Sequence, residues 1–290
     1  MVMILIEGTF SILNAAPDGD SVRFIPNDPS LWKKLETKVH PNKSGGVQLR
    51  LDSIDTLETH YRPNVGAIGI QHQPKKFADA ASARLLDILG FDSSTVERGK
   101  AEKVKKAVPD RVPGYIMTRF ADVYGRAVAF ACKGKSDKPD GEPIFVDKAL
   151  IRQTANYQLL AEGLAYPTFY SKLYVDLRRE LTAAVTKARS KKLGIWTEDA
   201  TNTGFNLASL KTITDEVEIL PKLFRRLLSY LAINDDSVEL DGFAEFLEAN
   251  KDRILILSEG RMTGFDNVVE IDGQTLKLTE KPENLVFFEK

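Results

Sequence analysis

The order of the elements predicted from the sequence indicates an α+β fold built on a five-stranded Greek-key β-barrel of the OB type. Three short strands, a helix, two more strands and two helices are predicted in turn, and no strand–helix–strand repeat of a doubly wound sheet is present. At 290 residues, of which 43% are hydrophobic and 28% charged, the chain is long enough for one large or two small soluble domains.

Short apolar runs bounded by turn residues predict the five strands. Pro17-Asp18-Gly19-Asp20 separates the first two, because proline fixes φ and glycine accepts a positive φ. A tight turn at 122–125 joins the last two. The strands are expected at 8–14, 21–25, 47–54, 114–120 and 126–132.

Apolar residues three or four positions apart predict the helices of the first part of the chain. The first helix is expected to end at Gly90, and the last just before Gly194, because glycine commonly follows the end of a helix. The three helices are expected at about 76–89, 146–162 and 172–192.

Residues 200–204 have the composition of a linker, and a second set of elements follows them. The patterns there predict a long helix at about 206–232, a short one at 241–250, and strands within 253–288. We therefore divide the chain into an OB-fold domain at 1–200 and a small α+β domain at 205–290.

The two parts carry opposite net charges. Residues 201–290 contain 10 Lys+Arg and 17 Asp+Glu, a net charge of −7, whereas residues 1–200 contain 30 and 24, a net charge of +6. Such asymmetry is typical of units with different partners, and chance clustering on solvated faces is the alternative. The acidic part suggests an intramolecular lid over the basic part, or a dimer contact.

The cysteine count and the N-terminus exclude several classes of protein. A single cysteine, Cys132, excludes an intrachain disulfide and a zinc site built from several cysteines. Residues 1–6 are apolar but lack a basic leader and are too short for a signal peptide, so we interpret them as a strand. No other apolar run approaches membrane-spanning length. The compartment stays open, and the cytoplasm is expected unless an export signal has been removed.

Residues suited to a metal and to water activation lie at predicted strand ends. Asp20 and Asp55 offer carboxylates and Thr56 a carbonyl oxygen, which are the ligands that calcium prefers. Glu58, three residues past Asp55, is placed to orient or deprotonate water. Arg50 and Arg126 supply planar guanidinium groups that match phosphate oxygens.

Each of these features alone has a simpler explanation. Asp-Gly turns are common in plain hairpins, and an arginine on a strand is usually exposed or ion-paired. Arg50 and Asp55 are also an odd number of residues apart, so a regular strand would direct them to opposite faces. The chain must therefore bulge or turn before Asp55 if both are to serve one site.

Taken together, the motifs resemble those of the staphylococcal nuclease (thermonuclease) family. Arg50-Leu-Asp-Ser-Ile-Asp55-Thr56-Leu-Glu58 is similar to that family's central motif, and Asp18-Gly-Asp20-Ser21 and Tyr124-Gly125-Arg126 are similar to two others. The resemblance extends over residues 8–199. It implies an OB-fold barrel with three helices, and calcium-dependent hydrolysis of DNA and RNA that leaves 3′-phosphate ends.

The resemblance also implies roles for particular residues. The departures from the family pattern are Leu57, where proline is usual, and Val123, where lysine is usual. The catalytic positions are Arg50, Glu58 and Arg126, the calcium positions are Asp20, Asp55 and Thr56, and the substrate-binding positions are Tyr124 and Tyr170.

Two other functions are compatible with the sequence. The first is a catalytically silent OB-fold module that binds nucleic acid or protein, since barrels of this type also serve as interaction domains. The second is a scaffold whose function lies in residues 205–290. The presence of all six catalytic and calcium positions favours the nuclease, with DNA and RNA as substrates and no membrane partner.

Overall fold

The structure is a computed structural model that describes residues 2–235 and 237–289, and it has a mixed α/β fold with several sheets. Its first elements, in chain order, are β1 (Val2–Ser11), β2 (Arg23–Pro26), β3 (Val47–Leu51), β4 (Ile54–Asp55), α1 (Lys75–Leu89), β5 (Glu97–Arg98), β6 (Val104–Lys106), β7 (Arg111–Ala121), β8 (Ala127–Lys133), β9 (Pro143–Phe145), α2 (Lys148–Ile151), α3 (Ala155–Ala161), β10 (Tyr166–Pro167), β11 (Phe169–Tyr170) and α4 (Val175–Ser190).

The C-terminal part has shorter elements. They are β12 (Phe205–Asn206), a π-helical turn (Thr212–Glu216), α5 (Pro221–Ile233), α6 (Phe243–Asn250), β13 (Arg253–Ile256), β14 (Arg261–Gly264), β15 (Val269–Asp272), β16 (Thr275–Leu278) and β17 (Leu285–Phe287). Among the helices that the structure describes, none combines the length and apolar character needed to cross a membrane.

Six strands form one sheet in the order β2-β3-β8-β7-β1-β9, with a further pairing between β2 and β1. β1 pairs antiparallel with both β2 and β7, β3 pairs with β2 and lies parallel to β8, and β7 pairs with β8. β9 adds to the free part of β1. The apolar residues at the N-terminus and the predicted strand at 8–14 are one strand, β1, which ends at Ser11. Closure of these strands into the predicted five-stranded barrel stays a prediction that the pairings support.

Two of the predicted helices differ from the observed ones. The helix expected at 146–162 is two helices, because Thr154 accepts a hydrogen bond from the backbone N–H of Tyr157 and begins α3 as a new helix. The helix expected at 206–232 begins only at Pro221, which lacks the N–H needed inside a helix and is favoured in its first turn. By contrast, α1 ends at Gly90 (φ 103°), as the sequence predicts.

The C-terminal part packs directly on the N-terminal part. β17 pairs in parallel with β11, so that Phe169 is opposite Val286 and Tyr170 is opposite Phe287. The buried apolar residues of both parts belong to one contiguous cluster. The division into domains at 1–200 and 205–290 stays a prediction, and the Discussion gives its test.

Glu218, at the junction of the two parts, gives the fold a pH-dependent stability. The residue is only 2% exposed, and burial, followed by the nearby carboxylate of Glu198, raises the pKa of Glu218 from 4.5 to about 7. The folded state therefore retains a proton that the unfolded chain releases, and this stabilisation, complete below about pH 4.5, is lost as the pH rises through about 7.

We expect Glu218→Gln, which cannot ionise, to match the unchanged protein in stability at low pH. At pH 8 its free energy of unfolding should be higher by about 3 kcal/mol. Denaturant unfolding of both proteins at the two pH values measures the difference. Equal stabilities at pH 8 would show that the Glu218 carboxylate is not destabilising there.

Candidate active site

A turn after β3 brings Arg50 and Asp55 to the same place despite their odd spacing. Ser53 in this turn has a φ of 68°, in the left-handed region that side-chain-bearing residues seldom adopt. The buried Asn156 of α3 holds the turn in place: its side-chain amide donates to the carbonyl of Asp52 at 2.9 Å, and its oxygen accepts from the N–H of Ala131 at 3.0 Å. The turn that the sequence requires before Asp55 is therefore present.

The loop between β1 and β2 brings Asp20 to this turn. The backbone carbonyl of Asp20 accepts from the N–H of Leu51 at 2.8 Å. Gly19 approaches Thr56 so closely that a Cβ at Gly19 would lie 2.7 Å from the Thr56 hydroxyl oxygen. Burial, then the carboxylates of Asp18 and Asp55, raise the pKa of Asp20 well above its usual value. The structure thus brings Asp20, Asp55 and Thr56 close together.

Gln73 fixes the backbone of Glu58. Its side-chain oxygen accepts from the Glu58 N–H at 3.2 Å, and its own N–H donates to the Glu58 carbonyl at 2.8 Å. Leu57, at the position where the motif that it resembles has proline, is buried in the core with 1% of its surface exposed. Burial, opposed by nearby Arg225, raises the pKa of Glu58 to about 7.

Arg225 of α5 forms ion pairs with two of the predicted site residues. Its Nη1 and Nη2 atoms lie 3.0 and 2.6 Å from the two carboxylate oxygens of Asp55, and Nη1 also lies 2.6 Å from Oε1 of Glu58. The side chain of Asp55 is only 1% exposed. Burial alone would raise the pKa of Asp55, but Arg225 keeps that pKa below its usual value.

Arg50 lies in the same cluster, beside Tyr170. The Arg50 guanidinium carbon is 5.6 Å from the centre of the Tyr170 ring. Arg50 opposes the rise in the pKa of Asp20 and helps to lower the pKa of Asp55, so its charge lies near both carboxylates. Burial opposes the charge of Arg50, but Tyr170, Asp55 and Asp20 raise its pKa, so the guanidinium stays positively charged.

Arg126 and Tyr124 lie at a neighbouring turn and bind a different acid. Nε of Arg126 is 2.7 Å from the Asp122 carboxylate, and its guanidinium lies 5.5 Å from the Tyr124 ring centre. Asp122 also accepts from the N–H groups of Tyr124 and Arg126 at 3.0 Å each. The pairing of Arg50 with Val128 in the sheet places this turn next to the cluster, but the Arg126 guanidinium is directed to Asp122.

Residues 48–198, just over half of the chain, match the staphylococcal nuclease homologue family. The chain belongs to this family. A search of curated proteins finds no match. In this nuclease homologue the matched stretch includes Arg50, Asp55 and Glu58, whereas Asp20 and Arg225 lie outside it. Membership implies an OB-fold and a nuclease-type domain.

Calcium, which the staphylococcal nuclease family uses, does not fit the present arrangement of this nuclease homologue. Carboxylate oxygens suit the ion, but Arg225 already binds both oxygens of Asp55 and one of Glu58. Within residues 2–235 and 237–289, no group of three or more His, Cys, Asp or Glu side chains is arranged to hold a metal. The calcium predicted from the sequence therefore stays a proposal.

The sequence did not identify Arg225 or Gln73 as members of this site. Gln73 lies in a polar loop without a motif, and only its burial and its contacts with Glu58 and Ile219 distinguish it. Arg225 belongs to the run Pro221-Lys-Leu-Phe-Arg-Arg-Leu-Leu, which contains three of the ten basic residues in a part of the chain with a net charge of −7. That local concentration of positive charge was the available signal.

Proposed function

We propose that this nuclease homologue hydrolyses phosphodiester bonds of nucleic acids at the cluster of Arg50, Asp20, Asp55 and Glu58. The observation that supports the proposal is the meeting of these side chains, from separate strand ends, around the buried carboxylate of Asp55. Phosphoryl transfer requires a cation beside the non-bridging oxygens and a group that orients or deprotonates the attacking water.

In this proposal Arg50 binds the scissile phosphate. Its guanidinium presents paired donors that match two phosphate oxygens, and Tyr170 supports it from one side. Glu58 accepts a proton from the water that attacks phosphorus, and its backbone is fixed for that task by Gln73.

The proposal includes the finer features that the motifs suggest. They are a closed five-stranded OB barrel, cleavage of both DNA and RNA with 3′-phosphate products, a contribution from Arg126 to phosphate binding, and stacking of a base or sugar on Tyr124 or Tyr170. Calcium at Asp20, Asp55 and Thr56 belongs to a form in which Arg225 has left Asp55. Arg126 would contribute only after its guanidinium leaves the Asp122 carboxylate and binds the phosphate instead.

A catalytically silent module that binds nucleic acid or protein is the second candidate. The observation that favours it is the ion pair of Arg225 with Asp55 and Glu58, which occupies the groups that cleavage requires. The two candidates differ in one measurable result, because a silent module binds oligonucleotides and leaves them intact in every metal.

Arg50→Ala is expected to reduce cleavage by about 10²–10³-fold, because it removes charge stabilisation of the phosphate. Four proteins are compared: the full chain, its Arg225→Ala variant, and each of these two with Arg50→Ala added. Each protein is incubated with single- and double-stranded DNA and RNA, once with Ca²⁺ and once with a chelator. Arg23→Ala is the control, since Arg23 lies on the adjacent β2 and donates to the Leu13 carbonyl. If the full chain and the Arg225→Ala variant both bind the nucleic acids but do not cleave them, the result would support the silent module.

A further inference from the structure

The candidate site contains four acidic side chains, Asp18, Asp20, Asp55 and Glu58, of which Asp55 is buried. Burial, then the carboxylate of Glu58, raise the pKa of Asp18, and burial, then Asp18 and Asp55, raise that of Asp20. The four carboxyl groups thus influence one another electrostatically. Such a group requires a compensating cation, because like charges in a poorly solvated place repel strongly.

Arg225 supplies a cation at this place with a geometry suited to two carboxylates. Its guanidinium makes two hydrogen bonds to Asp55 and a third to Glu58, with distances of 2.6 to 3.0 Å. A paired guanidinium–carboxylate contact is among the strongest polar contacts in proteins. Asp55 consequently has both of its oxygens bound by Arg225.

The helix that carries Arg225 is fixed by the core. Phe224 is fully buried and lies edge-on to Tyr61, with the ring centres 6.4 Å apart. Gly66 approaches the end of α5 so closely that a Cβ there would lie 1.8 Å from the carbonyl oxygen of Ala232. Arg225 is therefore part of the folded molecule and is not carried on a loose tail.

Gln73 links the segment before α5 to the backbone of Glu58. The same side chain that accepts from the Glu58 N–H donates through Nε2 to the carbonyl of Ile219 at 2.8 Å. Ile219 lies two residues before α5. The segment that leads into α5 and the backbone of Glu58 are therefore held by the same side chain.

We infer that Arg225 is the internal counter-cation of this site, and that a divalent cation binds at Asp55 only when Arg225 withdraws. The inference rests on the proposed function, since it assigns an occupant to the same site. A guanidinium and a metal ion cannot both occupy the carboxylate oxygens of Asp55. The chain with Arg225 in place is thus a latent form of the enzyme, closed by its own C-terminal part.

Calorimetric titration of Ca²⁺ into the full chain tests this inference without reference to cleavage. The unchanged protein should bind Ca²⁺ more weakly than about 1 mM, and Arg225→Ala and Arg225→Gln should each bind it at least about tenfold more tightly. Ca²⁺ should also raise the Tm of these two variants and leave that of the unchanged protein where it is. Asp55→Asn added to either variant should remove the gain.

Arg226→Ala is the matched control. Arg226 is the next residue on α5, its side chain is 19% exposed against 20% for Arg225, and it pairs at 2.6 Å with Asp252. Its loss should leave Ca²⁺ binding unchanged. If the unchanged protein binds Ca²⁺ through Asp55 with a Kd in the micromolar range, the inference is overturned. This measurement needs only the unchanged protein and its Asp55→Asn variant, so it decides the question even if the Arg225 variants fail to fold. Absence of Ca²⁺ binding in both folded Arg225 variants overturns it as well, whereas a failure to cleave nucleic acid counts only against the proposed function.

Discussion

Glu58→Gln, introduced into the Arg225→Ala variant, is expected to lower the rate of phosphodiester cleavage by about 10²–10⁴-fold. Glutamine keeps the size and hydrogen-bonding ability of the side chain but cannot accept a proton from water. The backbone contacts with Gln73 do not involve the Glu58 side chain, so the loop should keep its position. Single-turnover cleavage of a labelled oligonucleotide measures the effect.

The control for this change is Glu180→Gln in the same variant. Glu180 resembles Glu58 in being a largely buried carboxylate, 10% against 16% exposed, that lies 2.6 Å from an arginine nitrogen. It pairs with Arg152, away from the proposed site, and its loss should change the cleavage rate less than about twofold. Retention of the full rate by Glu58→Gln would remove Glu58 from the proposed mechanism.

Phe224→Ala is expected to lower the free energy of unfolding by about 3–5 kcal/mol, the usual cost of deleting a fully buried phenylalanine side chain. Its ring is completely buried at the contact between α5 and the loop that holds Tyr61. Because both parts of the chain share one apolar cluster, the loss should shift a single cooperative unfolding transition. Denaturant unfolding followed by circular dichroism measures the shift.

Ile233→Ala on the same helix is the comparison for Phe224→Ala. Ile233 is 54% exposed, and its truncation should change stability by no more than about 0.5 kcal/mol. Two separate transitions, of which only the less stable responds to Phe224→Ala, would instead indicate that residues 1–200 and 205–290 unfold as independent domains. That result would also contradict the role of α5 as a fixed carrier of Arg225.

The sequence was sufficient where local chemistry decides the structure. The helix that ends at Gly90 and the hairpin before β8 follow from turn residues and apolar spacing. The turn before Asp55 was predictable because two residues five apart cannot share a strand face. Ser53 provides that turn, and without it Arg50 and Asp55 would not meet.

The sequence was insufficient where distant segments meet. Arg225 and Asp55 are 170 residues apart, and neither has a motif that indicates the other. The negative net charge of the C-terminal part suggested that its acidic groups would contact basic groups of the N-terminal part. In the observed contact the charges are reversed, because basic Arg225 of the C-terminal part pairs with acidic Asp55. Net charge cannot predict the sign of one contact, because a single side chain decides it.

Arg126 illustrates the limit of motif spacing in the other direction. The motif assigns Arg126 to the same site as Arg50, and in the sheet Arg50 lies opposite Val128, two residues after Arg126. Its side chain nevertheless pairs with Asp122, four residues earlier, because a short turn holds that carboxylate within reach. A motif determines the position of the backbone, whereas the partner of a long side chain depends on the nearest opposite charge.

The rate of Ca²⁺-dependent oligonucleotide cleavage, compared between the full chain and Arg225→Ala under identical conditions, tests the central claim most directly. The account predicts slow cleavage by the unchanged chain and at least about tenfold faster cleavage by the variant, because releasing Asp55 and Glu58 opens the site. It also predicts that chelation of the metal abolishes the gain. Equal rates for the two proteins, or a rate that falls when Arg225 is removed, would contradict it.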